Sequence, residues 1–202
     1  MRSAVVKNSR SQIVAPMVDA LSEERVVAAT TAWLERMVIG LNLCPFAISV
    51  HAKRQIRFAV SGAGDGQALL ENLRLELDLL TKAPSEQIES TLLIHPTALN
   101  DFADYNEFLW NCDLAIQEME LDGVIQIASF HPHYQFAGTT PDDVTNHSNR
   151  SPFPMLHLLR ESSVSRAVEA YGATDDIYKN NMETLRKLGK IRIETMLKQC
   201  FE

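Results

Sequence analysis

Short apolar segments alternate with helix-like segments along the middle of this chain, and this alternation restricts the possible folds more than any other feature. The segments RQIRFAVS, STLLIHP and GVIQIASFHP are too short for helices and end in glycine-rich or proline-containing turns. A leucine stripe predicts a helix over 66–82, and Asn100 or Asp101 can cap the next helix. Strands that alternate with helices of this length predict right-handed crossovers and an α/β fold.

Further helices are predicted on either side of these strands. One helix begins at Ser22 and ends near Gly40, one is opened by Pro152 or Pro154, and a final helix runs from about Thr174 with an interruption at Gly189. We therefore predict a single α/β domain over residues 22–202, with a small, mainly parallel sheet of three or more strands. Helices would cover both faces, with extra helices at both ends. Residues 1–21 are predicted to be a flexible N-terminal segment.

The composition excludes several classes of function. The net charge of -7 and the pI near 5.4 disfavour a nucleic-acid-binding protein, which needs a surplus of basic side chains on one face. No apolar run reaches the roughly 18 residues that a transmembrane helix requires, and the first twenty residues do not read as a signal peptide. The three cysteines form no CxxC pair, which favours a reducing compartment. We expect a cytoplasmic protein that binds neither nucleic acid nor membrane.

Two histidines follow predicted strands directly, each with a proline behind it. His95 precedes Pro96 in STLLIHP, and His131 precedes Pro132 after the third strand and forms the motif HPH with His133. Ligands of open α/β sheets bind beyond the carboxyl ends of the strands, and imidazole suits proton transfer near neutral pH. We predict that His95 and His131 end adjacent strands, that His131 and His133 supply acid/base chemistry and that His95 assists them. The alternative is that each histidine only caps a turn at the end of its strand.

The connection from Pro132 to Ser151 is longer than an ordinary loop. Its aromatic residue Tyr134 favours an ordered lid, and Asn149 and Arg150 lie just before a predicted helix N-terminus that favours negative charge. We predict that Tyr134, Asn149 and Arg150 bind a small anionic molecule. Alternatively, Arg150 forms an ion pair with an aspartate of the same loop, Asp142 or Asp143.

The segment after this connection contains two further candidate residues for substrate binding. If MLHLLRE is helical, His157, Arg160 and Glu161 lie on one side at i, i+3 and i+4. His157 and Arg160 would then form one wall of the anion site. The alternative is a hydrogen-bonded His157 at the boundary of the core.

Three other patterns have weaker functional interpretations. His131 and His133 form an H-x-H pair that could bind a metal with His157 and Asp142 or Asp143, although Pro132 favours an extended backbone that separates the two rings. Cys44 in NLCPFA matches the start of a glutaredoxin motif only locally and is predicted to be buried and inert. The glycines of GAGDG indicate a turn rather than a dinucleotide site, so we name no cofactor.

Four motifs in the same order resemble one known family. WLERMVIGLNLCPFA, LLIHP, IQIASFHPHYQFAGT and NRSPFPMLHLLRE together make the chain similar to the bacterial and plant proteins of domain-of-unknown-function family 1415. The resemblance extends from about Ser22 to the last helix. It implies a compact cytoplasmic domain and assigns no reaction, cofactor or functional residue.

These observations lead to three hypotheses about function. The first is an enzyme that acts on a small anionic molecule through histidine acid/base chemistry at the carboxyl edge of the sheet. The second is a non-catalytic ligand-binding or regulatory module that uses the same crevice. The third is a metal-dependent hydrolase built on the His131 and His133 pair. The substrate, any cofactor or metal, and the oligomeric state do not follow from the sequence.

Overall fold

A computed structural model describes residues 22–171 and 174–202 of the 202-residue chain. The predicted N-terminal segment, residues 1–21, lies outside the described residues. The described residues form seven α-helices and four strands. In chain order these are α1 (Glu23–Trp33), α2 (Ala47–Ala52), β1 (Ile56–Val60), α3 (Gly66–Lys82), β2 (Ser90–Ile94), α4 (Phe102–Glu118), β3 (Ile125–Phe130), β4 (Met155–Arg160), α5 (Glu161–Tyr171), α6 (Thr174–Leu188) and α7 (Lys190–Lys198).

Three helix boundaries confirm their sequence signals. Ser22 caps α1 by accepting a hydrogen bond from the backbone N–H of Arg25, and Asp101 caps α4 in the same way from Ala103 and Asp104. Between α6 and α7, Gly189 adopts φ 75°, a conformation that glycine reaches without steric cost. After α1 the chain continues as a π-helical segment, Leu34–Ile39, which ends at Gly40.

The sheet is open and mixed, with the strand order β1-β2-β4-β3. Strands β1 and β2 pair in parallel, whereas β4 pairs antiparallel with β2 on one side and with β3 on the other. The prediction of a mainly parallel sheet is therefore wrong, because an antiparallel strand is inserted between two strands that run in the same direction. A second consequence is that β2 and β3 are not neighbours.

Residues 155–160 form a strand, which corrects the prediction of a helix opened by Pro152 or Pro154. Leu158 lies opposite Thr91 of β2 and Ile127 of β3, so the backbone of this segment hydrogen-bonds to a strand on each side. The segment MLHLLR contains good helix formers, but pairing on two sides overrides that weak local preference. The turn from β4 into α5 is immediate, at Arg160 and Glu161.

Helices cover both faces of the sheet, as predicted. On one face, α3 and α4 bury a leucine-rich cluster against Ala59, Leu93, Leu156 and Leu158. On the other face, α1, the π-helical segment and residues of α6 and α7 pack against Leu92, Ile94 and Met155. Among the described helices, none is long and apolar enough to cross a membrane.

Candidate functional site

The two histidines that end strands lie on either side of a buried tyrosine. The ring of Tyr105 in α4 is stacked on His95 at 5.8 Å between ring centroids and is 5.1 Å from the ring of His131. The prediction that His95 and His131 end adjacent strands is wrong, because β4 lies between β2 and β3. An aromatic residue from a helix nevertheless brings the two imidazoles into one buried cluster.

Both ring nitrogens of His131 contact backbone groups. Its Nδ1 accepts a hydrogen bond from the backbone N–H of His133 at 3.0 Å, and its Nε2 donates to the carbonyl of Leu99 at 3.2 Å. His131 is fully buried, and this burial lowers its pKa. His133, the other half of the H-x-H pair, is exposed. The hydrogen bonds of His131 therefore fix the turn after β3.

His95 has one ring nitrogen engaged and one without a partner. Nδ1 donates to the carbonyl of Ala98 at 3.0 Å, while Nε2 is buried with no hydrogen-bond partner among the described residues. Burial lowers the pKa of His95 to about 4, so the ring is neutral at physiological pH. A neutral, buried imidazole of this kind suits packing against Tyr105.

The long connection is ordered around Asn146, which is fully buried in a short 3₁₀ turn. Its Oδ1 accepts hydrogen bonds from the backbone of Phe136 and the hydroxyl of Thr139, and its Nδ2 donates to the carbonyl of Thr140. Beside it, His147 is buried, and desolvation followed by the charges of nearby cations lowers its pKa to about 4.

Arg150 and its neighbours lie within the same connection. The Arg150 guanidinium donates hydrogen bonds to the carbonyls of Tyr134 at 3.1 Å and Pro141 at 2.7 Å. These bonds connect the end of the loop to its beginning and its middle. Asn149 donates to the carbonyl of Ser129 and lines a cavity described below. Of the predicted anion-binding residues, Arg150 and Tyr134 are therefore joined to each other directly.

Arg160 lies at the end of β4 and caps α3. Its guanidinium donates to the carbonyls of Leu80 at 2.5 Å and Ala83 at 2.6 Å, and also to Ile88. A cation at a helix C-terminus is favoured by the helix dipole, and these carbonyls have few other partners there. The donors of Arg160 thus face the protein backbone.

A cavity of about 670 Å³, which we call the sheet cavity, opens over the sheet. It lies on the face of the sheet opposite α3 and α4. Its floor is formed by alternate residues of the strands, because side chains of a strand point to each face in turn. These floor residues include Ile56 of β1, Leu92 of β2, His157 and Leu159 of β4, and Ala128 and Phe130 of β3.

Helix α5 forms the outer wall of the sheet cavity. Val164, Ala167 and Ala170 follow one another at helical spacing and line the cavity, and none of the α5 side chains described in the structure is buried. The small size of the two alanines leaves the space between this helix and the sheet open. Trp33, Leu34 and Phe46 complete the wall from the side of α1 and α2.

His157 is the polar residue at the centre of the floor. It lies opposite Leu92 on one side and Ala128 on the other, in a row that is otherwise apolar. Its Nε2 is inaccessible to solvent and has no hydrogen-bond partner among the described residues. Burial alone lowers the pKa of His157 to about 4, so the imidazole is uncharged near neutral pH.

Charged side chains occupy one end of the sheet cavity. Arg166 of α5 lies 3.5 Å from the carboxylate of Glu89, and it also donates a hydrogen bond to the hydroxyl of Ser163. The Glu89 side chain is 18% exposed and the Arg166 side chain 64% exposed. With Arg160 near the same end, two cations and one carboxylate border the cavity there.

A second cavity, of about 430 Å³, lies beyond Phe130 and is called the loop cavity. It is bordered by the long connection and by α6, through Phe136, Ser148, Asn149, Ile177, Tyr178 and Asn181. Cys44 lines both cavities and is partly exposed, whereas Cys112 and Cys200 are buried. Burial raises the pKa of the Cys44 thiol, and its low reactivity stays a prediction.

A metal site would require several ligands close together. Within the described residues, no group of three or more His, Cys, Asp or Glu side chains is close enough to hold a metal ion. Both ring nitrogens of His131 form hydrogen bonds with backbone groups, so neither nitrogen is available as a metal ligand.

The floor of the sheet cavity was not predicted from the sequence, although one signal for it is present. In the third strand, Gln126 and Ala128 occupy alternate positions, and their polar and small side chains differ from the large apolar Ile125 and Ile127. His157 was predicted as a binding residue, but on a helix. Its position in a strand is what directs it to this face.

The described fold and its cavity define a class: a mixed α/β protein with an apolar cavity between the sheet and helix α5. The chain belongs to the family described as protein of unknown function (DUF1415), whose profile matches residues 25–195. This confirms the resemblance noted from the four motifs. No curated protein and no solved structure matches the chain.

Proposed function

We propose that this protein binds a small, mainly apolar molecule in the sheet cavity. The single observation that supports the proposal is an open cavity of about 670 Å³ over all four strands, with His157 at its centre. Small-molecule sites are commonly concave, mostly apolar and roughly 300–1,000 Å³ in volume. The sheet cavity agrees with each of these properties.

The lining supports an apolar ligand rather than a highly charged one. Leu92, Leu159, Ala128 and Phe130 form most of the floor, and Val164 faces them from α5. Burying apolar ligand surface against such residues contributes about 25 cal/mol per Å². The ionisable groups Glu89 and Arg166 lie at one end, so a polar group of the ligand would be placed there.

His157 supports a specific orientation for the ligand. A buried polar atom without a partner costs about 1–3 kcal/mol, and the Nε2 of His157 is such an atom. A ligand with a hydroxyl, carbonyl or amide group would lower that cost if a small rotation of the imidazole turned Nε2 toward the cavity. In an apolar cavity with one polar side chain, the apolar walls provide affinity and the polar side chain provides selectivity.

The test is a titration with anilinonaphthalene sulfonate, a fluorescent apolar probe, against wild type and variants with a partly filled cavity. Ala128→Leu and Ala167→Leu each place additional carbon atoms in the sheet cavity, and both should weaken saturable binding at least tenfold. Ala103→Leu is the matched control, because Ala103 is exposed on α4. Equal affinities in all four proteins, with unchanged melting curves, would refute binding in this cavity.

An enzyme remains a second candidate, and the observation that favours it is the imidazole of His157 inside the cavity. A general base works best when its pKa is near the operating pH, whereas burial lowers the pKa of His157 to about 4. A ligand carrying negative charge would raise that pKa toward the useful range. The earlier hypothesis of acid/base catalysis by His95, His131 and His133 stays a prediction.

A further inference from the structure

We infer that the ligand is an unbranched carboxylic acid whose chain extends from the sheet cavity into the loop cavity, with its carboxylate at the Arg166 end. This inference rests on the proposed function and names the ligand class. It follows from the wall that the two cavities share and from the distribution of charge along them.

The two cavities have four wall residues in common, Val38, Cys44, Phe46 and Phe130. Since the same side chains border both spaces, the two cavities are adjacent at these side chains. Three of the four are apolar, and the fourth is a neutral thiol. An apolar chain can pass such a boundary without burying a charge, which a polar chain cannot do at low cost.

The shape is elongated, which selects a chain rather than a compact molecule. Along β3, the floor of the sheet cavity extends from Gln126 to Phe130, four residue steps of about 3.3 Å each. The loop cavity continues beyond Phe130 toward Phe136 and Ile177. A long, unbranched chain follows this path, whereas a compact ring system fills only one of the two spaces.

The head group is assigned from the charges at the other end. Arg160 and Arg166 border this end together with one carboxylate, Glu89, which leaves one positive charge in excess. Arg166 contacts Glu89 at 3.5 Å, and its exposed guanidinium has further donors available to a second carboxylate. Carboxylate recognition by arginine is strong when two parallel hydrogen bonds form.

Chain length provides the main test. Octanoate, dodecanoate and hexadecanoate are titrated, below their micelle concentrations, by displacement of anilinonaphthalene sulfonate from the whole protein. Each methylene that enters an apolar cavity should increase affinity about fourfold, and in wild type the increase should continue from dodecanoate to hexadecanoate. An affinity that stops increasing at dodecanoate would overturn the two-cavity path while leaving the proposed function intact.

Substitutions at Cys44 test the path itself. Cys44→Trp should close the boundary, so hexadecanoate should bind this variant no more tightly than dodecanoate. Cys44→Ser, which has nearly the same size, should retain the wild-type series. An identical length series in wild type and Cys44→Trp contradicts passage at this residue.

A labelling experiment does not depend on the variants folding. Cys44 is partly exposed while the other two cysteines are buried, so N-ethylmaleimide modification can be assigned to Cys44 by peptide mapping. Hexadecanoate should slow this modification at least fivefold and octanoate should not. Equal protection by both acids would overturn the path, whereas failure of every acid and of the fluorescent probe to bind would refute the proposed function instead.

A set of primary alkyl amines that binds as well as the acids would overturn the head-group assignment alone.

Discussion

The hydroxyl of Tyr105 donates a hydrogen bond to the backbone carbonyl of Met155 at 2.9 Å, and it accepts one from the backbone N–H of Phe130 at 3.1 Å. One side chain of α4 therefore joins the start of β4 to the end of β3. Tyr105→Phe keeps the ring but leaves both backbone groups without this partner. We expect a loss of about 2 kcal/mol in the free energy of unfolding, measured in urea.

Tyr178→Phe is the matched control for this substitution, since Tyr178 is 60% exposed. It should change the free energy of unfolding by less than about 0.5 kcal/mol. If both variants lose the same stability, the hydrogen bonds of Tyr105 do not contribute as the geometry indicates.

Arg160 should be essential to the end of α3. Arg160→Met removes the donors to Leu80, Ala83 and Ile88 and leaves their carbonyls without this partner. We expect a loss of about 3 kcal/mol, because hydrogen bonds to a charged group contribute more than neutral ones. Arg160→Lys should recover only part of it, since the planar fork is lost.

The control for Arg160 is Arg74→Met, which removes a surface arginine paired with Glu118. Surface ion pairs contribute about 0–1 kcal/mol, so this variant should remain close to wild type. Urea unfolding of the three variants measures the difference. A small effect of Arg160→Met would show that water replaces its donors without cost.

The buried histidines should make the protein sensitive to acid. The pKa of His157 is near 6.5 in an unfolded chain and about 4 in the folded protein. Between these two values the unfolded state binds the proton and the folded state does not, so the free energy of unfolding falls as the pH is lowered from 6.5 to 4. For one such group the total loss is roughly 3 kcal/mol.

His157→Phe isolates this contribution, because the Nε2 of His157 makes no hydrogen bond to the part of the chain that the structure describes. The variant should be about as stable as wild type at pH 7 and should lose less stability on acidification. His133→Phe, at an exposed position, is the control. An unchanged pH dependence in His157→Phe would mean that the ring is protonated in the folded state without cost.

The connection between β3 and β4 should depend on Asn146. Asn146→Ala removes three hydrogen bonds that fix Phe136, Thr139 and Thr140. We expect limited proteolysis within residues 137–143 to become at least tenfold faster, because cleavage requires local opening. Asn106→Ala, at an exposed site on α4, should be cleaved like wild type.

Local signals predicted most of the helices and three of the four strands. The caps at Ser22 and Asp101, the leucine stripe of α3 and the break at Gly189 are properties of neighbouring residues, and each is confirmed. Strand β4 was missed because Met155, Leu156 and Leu158 favour a helix locally. Only its pairing with β2 and β3 makes this segment extended.

The site could be predicted only in part for a related reason. The sequence identified His95, His131 and His157 as candidates because histidine is informative wherever it occurs. It could not show that Tyr105 separates the first two or that His157 faces α5. Those relationships depend on the strand order β1-β2-β4-β3. This order results from contacts between distant parts of the chain, so local sequence patterns do not encode it.

The position of β4 also determines when the sheet can be completed during synthesis. Strand β3 contacts the rest of the sheet through β4, which the ribosome makes last of the four. Until residues 155–160 have left the exit tunnel, β2 and β3 each expose an unpaired edge toward the place that β4 will fill. Between the emergence of β3 and the emergence of residues 155–160 from the tunnel, a nascent chain of this protein therefore has two strands with open edges.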